Sequence, residues 1–265
     1  MGWYAYPRRL HDGDEPQGHP EHERAPQGSI VAVQLSGILD GEPSLETDLG
    51  TVWFRKTVSG YMGYIPVTYN AEGGDHTLHL TCGSLEKDIT LTVTRTMYDT
   101  VTVPPRRTPA AGRSSATLYG RCTQRAAPPS SGMAALRSPS AGAVVMEYGV
   151  TQMVDGQRSG QATGLTYAAA DGETVTAPQA GNVVFAGTLT LTGGTVVIDH
   201  GCGVKSYLYG LETVGVERGQ SVSAGDPLGT AGTAHNLIYE LRIGSKSADP
   251  QTALDGKQWS AIPRG

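Results

Sequence analysis

Glycine sets the tightest limit on how this chain can fold. There are 36 glycines among 265 residues. In the second half, Gly172, Gly181, Gly187, Gly193, Gly194, Gly201, Gly203, Gly219, Gly225, Gly229 and Gly232 fall at short intervals. A glycine inside a helix costs about 1 kcal/mol relative to alanine, and no stretch here keeps a helical period. The runs between the glycines are rich in Val, Thr, Ile and Tyr. Val183-Val184-Phe185, Gly194–Asp199, Lys205–Tyr209 and Leu237–Ile243 read as strands joined by tight turns. The expectation for residues 141–255 is therefore an all-β domain of hairpins.

The first half has a different rhythm. Ser29–Val33, Thr51-Val52-Trp53-Phe54 and Tyr61–Tyr69 read as strands. Asp75–Thr81 and Asp88–Thr94 alternate polar and apolar residues. Turn signals separate these runs at roughly ten-residue spacing, the pattern of a small antiparallel, Ig-like β-sandwich. We assign it to residues 29–104, as a spacer or adhesive module. His76 and His79 alternate along one strand and read as surface residues, not metal ligands. Residues 1–28 are polar and aperiodic and read as a tether, in which His19 and His22 lack a third ligand nearby. Residues 105–140 hold Pro-Pro and Gly/Ser runs with Arg106, Arg107, Arg113, Arg121 and Arg125, and read as a basic linker. Residues 256–265 read as a tail.

Charge and cysteine count narrow the function classes. The net charge is −5, so there is no basic footprint for nucleic acid. No apolar run approaches the ~20 residues of a membrane span. Met1-Gly2-Trp3-Tyr4 does not begin a signal peptide. A cytosolic protein and an extracytoplasmic one whose leader is absent from this chain both remain open at this point. Cys82, Cys122 and Cys202 are too far apart for a CxxC motif.

Three segments together carry a resemblance. Ala177–Gly187 is similar to an A-x-x-x-G-x-V-x-x-A-G stretch, Gly194–Gly201 to a G-x-x-V-x-I-D-H-G strand, and Val216–Gly229 to a V-x-x-G-x-x-V-x-x-G-x-x-I-G turn. The family they resemble is the LytM/lysostaphin-type peptidoglycan endopeptidases. The resemblance covers about 115 residues. It implies an antiparallel β-domain of the duplicated-hybrid, barrel-sandwich type. It also implies a zinc enzyme that cuts peptide cross-links of bacterial cell wall, with three protein ligands and one open position. The family supplies these groups from His-x-Gly-x-Asp, a Tyr-x-His-Leu-type strand and His-x-His.

This sequence departs at each place. Ala162 and Thr166 stand where the first motif has its ligands, and Ile238 where His-x-His has the third. Asn236 and Gly210 replace the two helper histidines. Ala and Ile have no donor atom, and a Thr hydroxyl is a poor zinc ligand. Reading one residue earlier brings in Gln161 and His235, but adjacent strand positions face opposite sides. The loop Gly229–His235 is also shorter than the family's. His200 reads as a turn or packing residue, and Glu240 and Arg242 as groove-rim residues. Cys202 has no base nearby to make it a nucleophile.

The expectation is a non-catalytic pseudo-peptidase of the cell envelope, acting outside the cytoplasm and holding no zinc. Its old cleft would be lined by Gln161, Thr166, Tyr207, Tyr209, His235, Asn236 and Tyr239. It would bind peptidoglycan, or a protein such as a wall hydrolase or envelope complex. The alternatives are an active zinc endopeptidase with a non-standard site, and a purely structural spacer.

Overall fold

Strand β2 (Ile30–Ser36) is buried along almost its whole length, which its unbroken run Ile30-Val31-Ala32-Val33 requires. Apolar residues on both faces of a strand need cover on both sides. The computed structural model describes residues 22–36, 40–58, 60–104, 136–233, 236–256 and 259–261, and supplies both covers. Val31, Val33 and Leu35 enter one core. Ile30 and Ala32 enter a second core, which belongs mostly to the C-terminal half.

The first core lies between two four-stranded sheets. One has the order β1 (His22–Pro26), β7 (Leu85–Thr94), β6 (Gly74–Cys82), β3 (Pro43–Glu46). The other has β21 (Trp259–Ala261), β2, β5 (Gly60–Pro66), β4 (Arg55–Thr57). Leu78, Leu80, Leu91 and Val93 from the first sheet meet Val31, Val33 and Ile65 from the second. Two strands pair in parallel, β1 with β7 and β21 with β2.

These two strands correct the boundaries drawn from sequence. Residues 22–26, assigned to the tether, are an edge strand of the sandwich. Residues 259–261, assigned to the tail, close its other sheet. Their partners are distant in sequence, so no local pattern marks them. Thr51–Phe54 are not a strand; the strand begins at Arg55. His76 is buried and its Nδ1 lies 2.9 Å from the Asp48 carboxylate, so it is not a surface residue.

A small three-stranded sheet follows: β11 (Gln157–Gln161), β10 (Thr151–Val154) and β8 (Thr100–Thr102). Most of the linker lies outside the described residues, as do Cys122 and residues 1–21. Its last five residues do not behave as linker: Leu136 is buried in the C-terminal core, and Arg137 N–H donates to Pro178 O at 2.9 Å. Cys82 and Cys202 are unpaired thiols.

The C-terminal half is a ten-stranded sheet. Its main path is β17 (Ser221–Val222), β14 (Gly181–Leu189), β15 (Gly193–Gly201), β16 (Val204–Val214), β19 (Leu237–Ile243), β12 (Leu165–Ala168), β9 (Ala143–Met146). Strands β13 (Thr174–Thr176), β18 (Pro227–Ala231) and β20 (Lys246–Ala248) branch from it. Every pair in this sheet is antiparallel. A short helix, α1 (Pro250–Leu254), is capped by the Asp249 side chain, which accepts from the Gln251 amide. Along β19, Leu237, Tyr239, Leu241 and Ile243 point into the core, and the residues between them point the other way.

The halves are joined by more than β2. Trp53 packs against the C-terminal core. Its indole lies over the turns before β16 and after β19, where a Cβ at Gly203 or Gly244 would come within 2.4 Å of the ring. Both glycines are left-handed, with φ of 75° and 59°. Tyr148 adds a polar tie: its hydroxyl donates to Ser247 O and accepts from Tyr69 N–H, each at 3.0 Å.

Candidate functional site

The face of β12, β19 and β16 turned away from the C-terminal core carries most of the positions singled out from sequence. Tyr207 and Tyr209, expected to line a cleft, are buried there because they pack with Val197 under Val184 and Phe185. Cross-strand partners share a face. Thr166 is opposite Ile238, and Ile238 is opposite Tyr209. Met146, on the edge strand β9, stands opposite Thr166 and extends this row. Sequence reading did not single out Met146; only the pairing of β9 with β12 brings it here. Two residues further along β19, Glu240 faces Tyr207, and Tyr207 faces Val197 of β15. Another two residues along, Arg242 faces Lys205, and Lys205 faces Asp199.

The three rows grade from apolar to charged. Val197, Tyr207 and Tyr209 form a small cluster with Val184, Phe185 and Ile238 packed against it. The two tyrosine rings stack with centroids 6.2 Å apart. Arg242 lies over the Tyr207 ring, 5.6 Å from its centroid, within cation–π range. Glu240 is 6% exposed, not a rim residue as its polarity suggested. Its carboxylate accepts from Thr163 Oγ1, from Tyr209 Oη at 3.4 Å and from Arg242 Nε at 2.8 Å. A buried carboxylate needs such partners to remain charged.

The remaining candidates fall elsewhere. Tyr239 is a correction: it lies fully buried on the opposite face, because it is one residue out of phase with Ile238 and Glu240. Gln161 ends β11 and is occupied there, donating to Gly149 O at 2.6 Å and accepting from Arg158 at 2.7 Å. Ala162 is buried just before β12. Asn236 is exposed at the entrance to β19. Gly210 sits at a register shift between β15 and β16, with φ 84° and its amide bonded to Thr192 O. His235 lies outside the described residues.

Behind the face, His200 shows how the core uses a histidine. Its Nδ1 lies 2.9 Å from Ala180 O and its Nε2 2.8 Å from Ser206 Oγ, which in turn lies 3.3 Å from the Tyr239 hydroxyl. Burial holds its pKa below the usual histidine value. The folded chain therefore keeps His200 neutral while the unfolded chain protonates it. Stability from this residue is present above the unfolded pKa and lost as pH falls below about 6.5. His200→Gln lacks this loss. The stability difference between parent and variant should shrink by up to about 1.4 kcal/mol per pH unit between about pH 6 and pH 5, by urea unfolding. Comparing the two chains cancels the contribution of His76. That residue has the opposite sign: burial opposes its protonation, but the Asp48 carboxylate outweighs it and raises the pKa.

Residues 160–250 match the model of peptidase family M23. The match lies within the C-terminal half of the chain. A crystal structure of an M23-type protein from Pseudomonas aeruginosa has the same fold across both halves: TM-score 0.66 at 18% identity, covering 86% of this chain and 93% of that one. The catalytic domain of the antimicrobial peptidase lysostaphin from Staphylococcus simulans matches at 22% identity and TM-score 0.39, over 43% of this chain and 92% of that one. A SpoIIIAH–SpoIIQ complex matches at 19% identity and TM-score 0.38, over 45% and 96%.

The zinc that the lysostaphin-type resemblance implies does not fit the donors present in this domain. Of the three implied ligand positions, Ala162 and Ile238 carry only carbon, and Thr166 offers one neutral hydroxyl. Glu240, the nearest acid on the face, already has three donors. Among the described residues, no group of three His, Cys, Asp or Glu could hold a metal ion. No hydrolytic step follows from these side chains.

Proposed function

We propose that the chain is a non-catalytic, extracytoplasmic protein of the bacterial cell envelope. Its M23 domain serves as a docking module for peptidoglycan or for an envelope protein. The observation that carries this reading is chemical: Ala162, Thr166 and Ile238 occupy the three implied ligand positions, while the strands that would present them keep their pairing. A frame kept without its donor atoms suits binding, not metal-assisted hydrolysis. Met146 and Ile238, both partly exposed, give the face apolar surface, and Arg242 gives it a polar anchor. Among the described residues no helix is long and apolar enough to cross a membrane.

The test is a paired measurement on protein purified without a metal-affinity tag and dialysed against trace zinc. The expected result is a zinc content near zero and no release of amino groups from purified peptidoglycan. About one zinc per chain, together with hydrolysis that a chelator abolishes, would overturn the reading. Co-sedimentation with peptidoglycan then selects the wall over a protein as partner.

A further inference from the structure

His76 of β6 is held between two segments of the sandwich that each reach the C-terminal half. The first leaves β3 and carries Asp48, then Gly50, where a Cβ would touch Lys246 of β20, then Trp53. The second is the turn 68–72 before β6. The Ala71 amide closes it by donating to Thr68 O at 3.1 Å. Within it, Tyr69 donates its amide to the Tyr148 hydroxyl at 3.0 Å, and the two rings meet edge to face with centroids 5.8 Å apart. Tyr148 passes this tie on to Ser247 O of β20.

The contacts of His76 fix its charge. Its Nδ1 lies 2.9 Å from each oxygen of the Asp48 carboxylate, and its Nε2 lies 2.8 Å from Glu72 O. A carboxylate and a carbonyl only accept. Both ring nitrogens therefore donate, which needs the imidazolium. His200 is the contrast: its Nε2 faces the Ser206 hydroxyl, which can donate, so a neutral ring satisfies both of its contacts. The charged groups that act on His76 are Asp48, from the connection after β3, and Glu72, from the turn before β6. Across the ladder, β7 offers only apolar Leu91. Burial opposes the charge, but Asp48 and Glu72 outweigh it and raise the pKa.

We propose that His76 is a pH latch on the joint between the two halves: charged, it ties the turn 68–72 to Asp48, and on losing its proton it releases that turn. A neutral ring keeps its N–H at Nδ1 for the charged carboxylate, the stronger acceptor. Its Nε2 then turns a lone pair toward Glu72 O, and two acceptors at that separation repel. The closed turn carries the displacement to Tyr69, and the hydrogen bond from Tyr69 to Tyr148 weakens. Tyr148 is not itself the switch, because burial holds its hydroxyl far above the ordinary phenol range. The folded pKa of His76 lies above the unfolded one. The joint is therefore tight below about pH 6.5 and loosens as pH rises through the raised value. The latch acts on the joint and not on the docking face, so it stands apart from the docking reading.

The test is a nuclear magnetic resonance pH titration of the nitrogen-15-labelled full chain. The ring nitrogens of His76 are expected to titrate above the ordinary histidine range, with both N–H groups present on the acid side. The amide resonance of Tyr69 should move with the same midpoint. Asp48→Asn keeps an acceptor but removes the charge, and should lower both midpoints together by about one pH unit. His76→Gln should abolish the Tyr69 transition. The proposal is overturned if His76 titrates at or below the ordinary range, if Tyr69 shows no transition at the His76 midpoint, or if Asp48→Asn leaves that midpoint in place. If His76→Gln does not fold, Asp48→Asn still decides, because the Asp48 side chain is 69% exposed and its replacement disturbs no core. Zinc content and wall binding do not enter this titration, so its failure is separate from failure of the docking reading.

Discussion

The triple variant Ala162→His, Thr166→Asp, Ile238→His should bind about one zinc ion per chain, where the parent is expected to bind none. The reason is in the register. Thr166 and Ile238 are direct cross-strand partners, and such pairs hold their Cβ atoms about 5 Å apart. Two ligands at that spacing can share one ion. Without metal, the variant should be less stable than the parent by about 3 kcal/mol. It places an unpaired carboxylate at a position only 9% exposed and imidazole in apolar contacts. Zinc should restore about 4 kcal/mol when free metal is about a thousandfold above the dissociation constant. Calorimetric melting with and without zinc measures both numbers. A variant that melts identically with and without zinc would mean that Ala162, Thr166 and Ile238 are not the ligand positions.

Removing the indole that joins the two halves should be nearly as damaging. Trp53→Ala is expected to lower unfolding free energy by about 3 kcal/mol in urea, the low end for aromatic truncation, because Trp53 is only partly buried. The loss should appear in one cooperative transition, since Ile30, Ala32 and Tyr64 of the sandwich share a core with Leu208, Tyr239 and Leu241. Gly203→Ala tests the socket from the other side. In the parent it meets both the left-handed backbone and the indole 2.4 Å from the new Cβ. In the Trp53→Ala background only the backbone penalty of about 1 kcal/mol should remain. If Gly203→Ala costs the same in both backgrounds, the indole does not occupy this socket.

Much of the site was visible in the sequence because it depends on local register. Once Leu237–Ile243 is a strand, alternation alone sends Ile238, Glu240 and Arg242 to one face and Leu237, Tyr239 and Leu241 to the other. The same rule should have removed Tyr239 from the cleft residues, since it lies one step from Ile238. The buried state of Glu240 was not legible, because its donors Thr163 and Tyr209 sit 77 and 31 residues away. His76 was misread for the same reason: its partner Asp48 is 28 residues distant and not on its strand.

The sequence by itself determined an all-β chain, from glycine spacing and Val/Thr-rich runs. It also determined the residue types at the implied ligand positions, because side-chain chemistry needs no coordinates. Only the tertiary structure decided how the pieces close: β1 and β21 complete the sandwich from its two flanks, Trp53 seats against Gly203 and Gly244, and Met146 joins the row of Thr166 and Ile238. These contacts pair residues far apart in the chain. Each depends on where a second strand or turn arrives in space, and a local pattern of apolar and polar residues carries no record of that arrival.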